Sequence, residues 1–510
     1  MKNKVIAMPV VLLLPLSLSF MMSVLLMSMG SQRALAKSIR ETVVIEKQAT
    51  VENYAPTAVL SDTFIYLPIV QTVQVQEESA IFVDANGSDA ASGTRKKPIR
   101  TIQKAISMAQ PGTTVYIRGG VYNEQVRIRN SGSAGKPIIV TTYPGEQVVL
   151  DGQYVLPPSP ASGPVDCGET KDSGCYNYGA LVRVEGNYIT LRGLDIRHSQ
   201  GVGIFIQGAN HVIVEDSKIH DIRFAPVRMK DVQQILFRNN DVWGGGNFAP
   251  YSRSMGEHMW PVAVFADDAS DITYRGNRIF NNWGEGLSTG RTNAHHITIE
   301  DNIIYDNLSV QLYLHRANHI TAQRNLIYCT NNPAFWRNGK PSPAISVNNE
   351  EQFADDTDLV VSDVDVLNNV VIGCGWNFAV WTTTPGPQNM RVAHNTFVNA
   401  VTNPDQNKET LAIALLRTSY KNVTFENNII HQANGTIAYV VNEGGLTMRK
   451  NLWSRQPSAA ASGAGDIVAN PQLQNPNAPL VAGQVNIDWY KPLATSPAVA
   501  NQIGPQEYLR

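Results

Sequence analysis

Two cations two residues apart, Arg228 and Lys230, lie in Pro226-Val227-Arg228-Met229-Lys230, where apolar and polar residues alternate as on a half-buried strand. With Val227 and Met229 turned inward, both cations project from one face. The same alternation in later segments sets Phe265, Asp267, Ser288, Tyr313, His315, Ser346 and Asn348 beside them. A cation that neutralises a carboxylate, next to a base that takes a weakly acidic proton, is what β-elimination beside a uronate requires; Arg228, Lys230 and His315 are the candidate catalytic groups. Asp267 and Asp268 are the candidate ligands for a calcium ion. Aromatics beside charges line sugar grooves, which makes Trp243, His258, Trp260, Trp283, Glu285, Arg291, Tyr313 and Arg316 the candidate substrate contacts. A rival chemistry, glycoside hydrolysis, needs two carboxyl groups across a bond, and Asp267, Glu285, Glu257 and Asp306 are its candidates. A stack that only binds sugar would need none of these. Cations outnumber carboxylates on the strip, which favours elimination.

The elements that must hold these residues repeat. Ile272-Thr273-Tyr274-Arg275-Gly276-Asn277 returns as Ile297-Thr298-Ile299-Glu300-Asp301-Asn302 and Ile320-Thr321-Ala322-Gln323-Arg324-Asn325, at intervals of 25 and 23 residues. Each is a strand, a bend and a second strand, too short to bury its own apolar face, so the coils must stack with like strands pairing in parallel. Further copies begin at Ile189, Val212, Ile235, Val364, Met390, Val423 and Leu446. Five residues on, Asn240, Asn277, Asn302, Asn325, Asn369, Asn395, Asn428 and Asn451 form a column, read as a structural asparagine ladder at a left-handed bend, because a catalytic group is needed once and a ladder many times. Parallel crossovers are right-handed. The fold class expected is all-β, a single-stranded right-handed parallel β-helix, or solenoid. An amphipathic helix starting near Arg100 and stopped by Pro111-Gly112 caps its open N-terminal end.

Around this body the chain of 510 residues divides simply. Lys2 and Lys4, an apolar run from Val5 to Met29 and Arg33-Ala34-Leu35-Ala36 make residues 1–36 a secretory signal peptide, or an uncleaved anchor as its rival. Residues 37–80 read as a linker and residues 81–510 as the β-helix, interrupted by insertions near 243–261 and 329–358 where the coil interval grows to 37 and 44. The expected location is secreted or cell-surface, touching a membrane only through a retained N-terminal segment. A net charge of −2 argues against nucleic acid as a partner, so any attraction to an acidic polysaccharide is local. A monomer with no organic cofactor is expected. Of four cysteines, Cys167 and Cys175 bracket a loop, while Cys329 and Cys374 follow equivalent positions of successive coils and should be bridged.

The opening strand Phe82-Val83-Asp84-Ala85-Asn86-Gly87-Ser88-Asp89, the turn Tyr116-Ile117-Arg118-Gly119-Gly120-Val121-Tyr122 and the Asn-punctuated coils resemble the secreted right-handed parallel β-helix proteins of the pectate-lyase-like superfamily. That superfamily holds polysaccharide lyases, glycoside hydrolases, uronate epimerases and adhesins. The Asp-Pro-His motif of the epimerases and the Gly-His-Gly of polygalacturonases are absent, and Asp267-Asp268 and Asp355-Asp356 lack the rest of the latter pattern. Lys230 stands where the strand resembles the one carrying the lysine base in a family of calcium-dependent pectate-type lyases, without that family's Asp-Gly-Phe lead-in. The resemblance implies an extracellular polysaccharide lyase acting on a uronate-containing polymer.

Overall fold

The structure is a computed structural model that describes residues 79–158, 179–247, 262–290, 293–330, 332–337, 339–350, 360–381, 386–400, 411–416, 420–441 and 444–508. The signal or anchor, nearly all of the linker, Cys167, Cys175, Glu257, His258, Trp260 and Arg291 lie outside the described residues.

Three strands make one coil, as in Leu312–His315, Ala317–Gln323 and Leu326–Tyr328. The first two kinds of strand form a sheet of 22 strands and the third kind a sheet of 13, so the solenoid has three faces. On the first two faces some strands continue round the corner: Val227–Arg238 and Val262–Arg275 turn at Asp231 and Asp268, whose φ angles are +54° and +47°. All ten sequence copies stack in parallel register, from Ile189 opposite Val212 to Val423 opposite Leu446. The reason is the apolar column. Ile235, Ile272, Ile297, Ile320 and Val364 are each at most 2% exposed, and burying one such side chain is worth roughly 1.5–3 kcal/mol.

The asparagine ladder is a chain of hydrogen bonds. The Asn277 amide nitrogen donates to Phe237 O and to Asn302 Oδ1, both at 2.9 Å, and the Asn302 oxygen also accepts the Asn277 backbone N–H. The pattern repeats at Asn302 and Asn325, and at Asn451 the carboxylate of Asp466 ends it. One expectation needs correction: the left-handed residue is not the ladder Asn but the one before it, Asn239, Gly276, Asp301, Arg324, Asn368, His394, Asn427 and Lys450. The ladder Asn can therefore keep strand-like backbone and point its amide inward. A second, shorter ladder runs through Asn282, Asn307 and Gln311.

The N-terminal helix Ile102–Met108 is capped by the Thr101 hydroxyl, which accepts from the Lys104 N–H, and it buries Ile102, Ala105 and Ile106 in the core with Val83 and Val115. Cys329 and Cys374 are bridged with Cα atoms 4.8 Å apart, one strand spacing. The second sheet ends at Ile467–Val468. Beyond it the chain folds back along the third face, burying Leu473, Tyr490, Ala498 and Ile503 against Tyr328, Val398 and Ile429. Its Gly483 and Gly504 N–H groups donate to Tyr328 Oη and Asn427 O, and Gln506 N–H donates to Asn368 Oδ1.

Candidate functional site

On the outer side of the first face, register sets the predicted strip in order along the axis. One column is Phe205, Arg228, Phe265, Ser288, Tyr313 and Ser346. Lys230 lies opposite Asp267, and His315 opposite Asn348. Continuing the Phe265–Ser288 register by two residues puts Gly290 between Asp267 and His315. Its φ of +113° suits only glycine there, because a Cβ would stand 1.8 Å from Ala266 O, and it leaves a gap in that row.

The strip is recessed. Arg228, Asp267, Ser288, Tyr313 and His315 are 2–5% exposed, whereas Lys230 is half-buried. The Arg228 guanidinium lies between the rings of Phe265 and Phe205, at 5.0 and 5.7 Å, and its Nη2 is 3.6 Å from Asp267 Oδ2. An arginine held on both faces and at its end is a fixed charge. His315 stacks on Tyr313 at 4.8 Å with Nδ1 3.2 Å from Asn348 O, and Tyr313 stacks on Trp381 at 5.8 Å. Burial, then the charges of Glu350 and Glu285, push the Tyr313 phenol well above its ordinary range, so it is a proton holder at neutral pH.

Part of the second insertion walls this region. The hairpin formed by Trp336–Arg337 and Lys340–Pro341 follows Phe335, whose ring meets Trp283 at 5.0 Å. Arg337 feels the charges of Glu285 and Glu350, and the Trp381 indole N–H donates to Glu350. Glu350, Arg337, Trp381 and Trp376 were not singled out from the sequence, because the first two lie within the insertion that breaks the repeat register and the indoles follow it.

Several predicted residues sit elsewhere. Trp243 is on the third face, in an aromatic column His220, Trp243, Phe280, Tyr305 and Tyr328 with successive centroids 4.0, 5.6, 4.9 and 4.7 Å apart. Stacked face to face along the axis, those rings support the fold, and the returning C-terminal segment buries Tyr305 and Tyr328. Arg316 is a corner residue with φ +49° and 2% exposure, covered instead of facing a groove. Asp306, a hydrolase candidate, ends a third-face strand and gives its two oxygens to Thr330 N–H and Oγ1 at 2.7 and 2.6 Å. The calcium expectation also meets a different geometry. Asp267 faces Arg228, Asp268 lines a corner pocket of about 300 Å³ with Asp231, Asn293 and His295, and among the described residues no three His, Cys, Asp or Glu side chains gather as a metal site. Among the described residues, then, Asp267 and Asp268 face different surroundings and do not share one site.

Residues 81–311 match the family model described as Pel9A-like, right handed beta helix region. A stretch of 83 residues is 42% identical to pectate lyase PEL9 of Emericella nidulans, covering 16% of this chain and 20% of that protein. Another of 144 residues is 31% identical to the uncharacterized protein YwoF of Bacillus subtilis, covering 28% and 29%. The chain thus spans less than a third of the length of the curated relatives it matches. Among solved structures, the complex of XylC with xylose superposes with a TM-score of 0.50 at 14% identity, over 77% of this chain and 87% of that one, a likeness of fold. Asn-laddered coils stacked in parallel register make the described body a parallel β-helix, and its residues 81–311 are similar to the Pel9A-like right-handed β-helix region.

Proposed function

We propose that the protein is an extracellular polysaccharide lyase that cleaves a uronate-containing polymer by β-elimination on the outer strip of the first face. The observation that carries this reading is the contrast at Lys230: its strip neighbours Arg228 and Asp267 are buried, while its own side chain is half-exposed and is the nitrogen base a sugar chain meets. In its neutral form Lys230 takes the proton from the carbon beside the uronate carboxylate. The electron pair forms a carbon–carbon double bond as the bond to the neighbouring glycosidic oxygen breaks, and that oxygen leaves with a proton taken from water. The fixed Arg228 charge stabilises the negative charge that builds on the carboxylate. His315 is the reserve base, and Tyr313, which keeps its proton at neutral pH, can donate a hydrogen bond to the polymer. The likeness to a pectate lyase over 83 residues supports elimination, and the Cys329–Cys374 bridge supports action outside the reducing cytoplasm.

A second reading, hydrolysis, is favoured by one observation: the charges of Glu285 and Glu350 both act on Tyr313 and on Arg337, so two carboxylates lie near the same side chains. Purified protein incubated with a panel of uronate and neutral polysaccharides separates the two. Elimination yields an unsaturated, ultraviolet-absorbing product. New reducing ends without that absorbance would establish hydrolysis. Lys230→Ala is expected to cut turnover about 10²–10⁴-fold with folding and polymer binding unchanged; near-wild-type turnover removes Lys230 from the mechanism.

A further inference from the structure

Beyond His315 the first face changes character. The outward column continues from Ser346 to Ala379 and Ala414, all buried and small. Across this floor lie two indoles, Trp376 and Trp381, with centroids 6.2 Å apart and planes inclined at 48°. Both are half-buried and pack on an apolar patch of Ala379, Leu411 and Ala414. A face of small side chains lets large rings lie down on it, and the part of each half-buried indole that stays exposed is apolar surface of the kind that the C–H face of a sugar ring covers. The Lys340 ammonium stands 4.7 Å from the Trp376 ring centre. That cation belongs to the same hairpin that brings Phe335 to Trp283, so one wall runs from the candidate site to the indoles. By register Trp381 is five rungs from Lys230, about 24 Å at the usual strand spacing.

We propose that Trp376, Trp381 and Lys340 form a distal subsite that stacks one ring of a polyuronate chain and pairs its carboxylate with the lysine, several sugars away from the bond that breaks. The substrate class rests on the lyase reading; the subsite adds a length requirement, since a trimer seated over Lys230 cannot reach the indoles.

Isothermal titration calorimetry with tri- and hexagalacturonate, the matching mannuronate pair and xylohexaose tests it. Wild-type protein should bind one of the uronate hexamers at least tenfold more tightly than its trimer. Trp376→Ala should erase that gain and leave trimer affinity within twofold, and Lys340→Ala should weaken the uronate hexamer but not xylohexaose. Thermal unfolding checks each variant, and Lys340→Ala stands alone should Trp376→Ala fail to fold. Equal affinity for hexamer and trimer, no binding of either hexamer, or a hexamer gain that survives both substitutions overturns the subsite. The two proposals fail separately: a gain lost in Trp376→Ala without any unsaturated product sinks the lyase reading alone, and product with an unaltered hexamer gain in both variants sinks the subsite alone.

Discussion

Asp267 and Arg228 have both been taken out of water, with side chains 4% and 5% exposed, and they stand 3.6 Å apart. Breaking such a pair leaves a buried charge, so Asp267→Ala is expected to cost about 3–5 kcal/mol. Replacing both partners with apolar residues should recover most of it, read as urea midpoints at constant slope. A second ionic residue governs pH. Burial pulls the His220 pKa down, but hydrogen bonds and charges from Asp195 and Asp221, at 3.0 and 2.7 Å, outweigh it and raise it above 6.5. A histidine whose folded pKa is raised contributes stability that is complete below its unfolded value and disappears as pH rises through its folded one. His220→Asn should therefore destabilise most below about pH 6 and little in alkaline buffer; melting curves with a constant difference across that range would contradict the assignment.

At the scale of the coil, the ladder makes a sharp statement about energy. Asn325→Ala would take the Asn325 oxygen from the Asn302 backbone N–H, one of its two acceptors from the Asn302 amide, and a donor from the Ile299 carbonyl, in a site that is 0% exposed, at a cost on the order of 3 kcal/mol. Thermal unfolding within a degree of wild type would show that water fills the place. Much at this scale was legible beforehand, because a period of about two dozen residues, apolar alternation and a recurring Asn dictate stacking whatever the side chains between them do. Counting from the ladder would have revealed more. Trp243, Phe280, Tyr305 and Tyr328 each stand three residues after a ladder position, which puts them in one column on the third face, and Asn282 and Asn307 each stand five after one. Glu350, Arg337 and Trp381 were not readable that way. The insertion after Cys329 erases the count, and only three-dimensional pairing restores it.

At the scale of the whole molecule, two long-range devices among the described residues add to the stacked coils. The Cys329–Cys374 bridge spans a sequence separation of 45, and its reduction should lower stability by about 2–4 kcal/mol; unreduced peptide mapping should recover the two cysteines together, and free thiols in exported protein would refute the bridge. The other device is the returning C-terminal segment. A pile of coils tied only to nearest neighbours would, under tension at its free end, open like a zipper, one rung at a time and at low force. Here Gly504 is tied to Asn427 and to His394, and Gln506 to Asn368, on three different rungs. A pull on the tail is therefore shared in shear among several rungs at once. The end of the stack that would otherwise peel, or feed into a protease, is held by ties to three rungs at once.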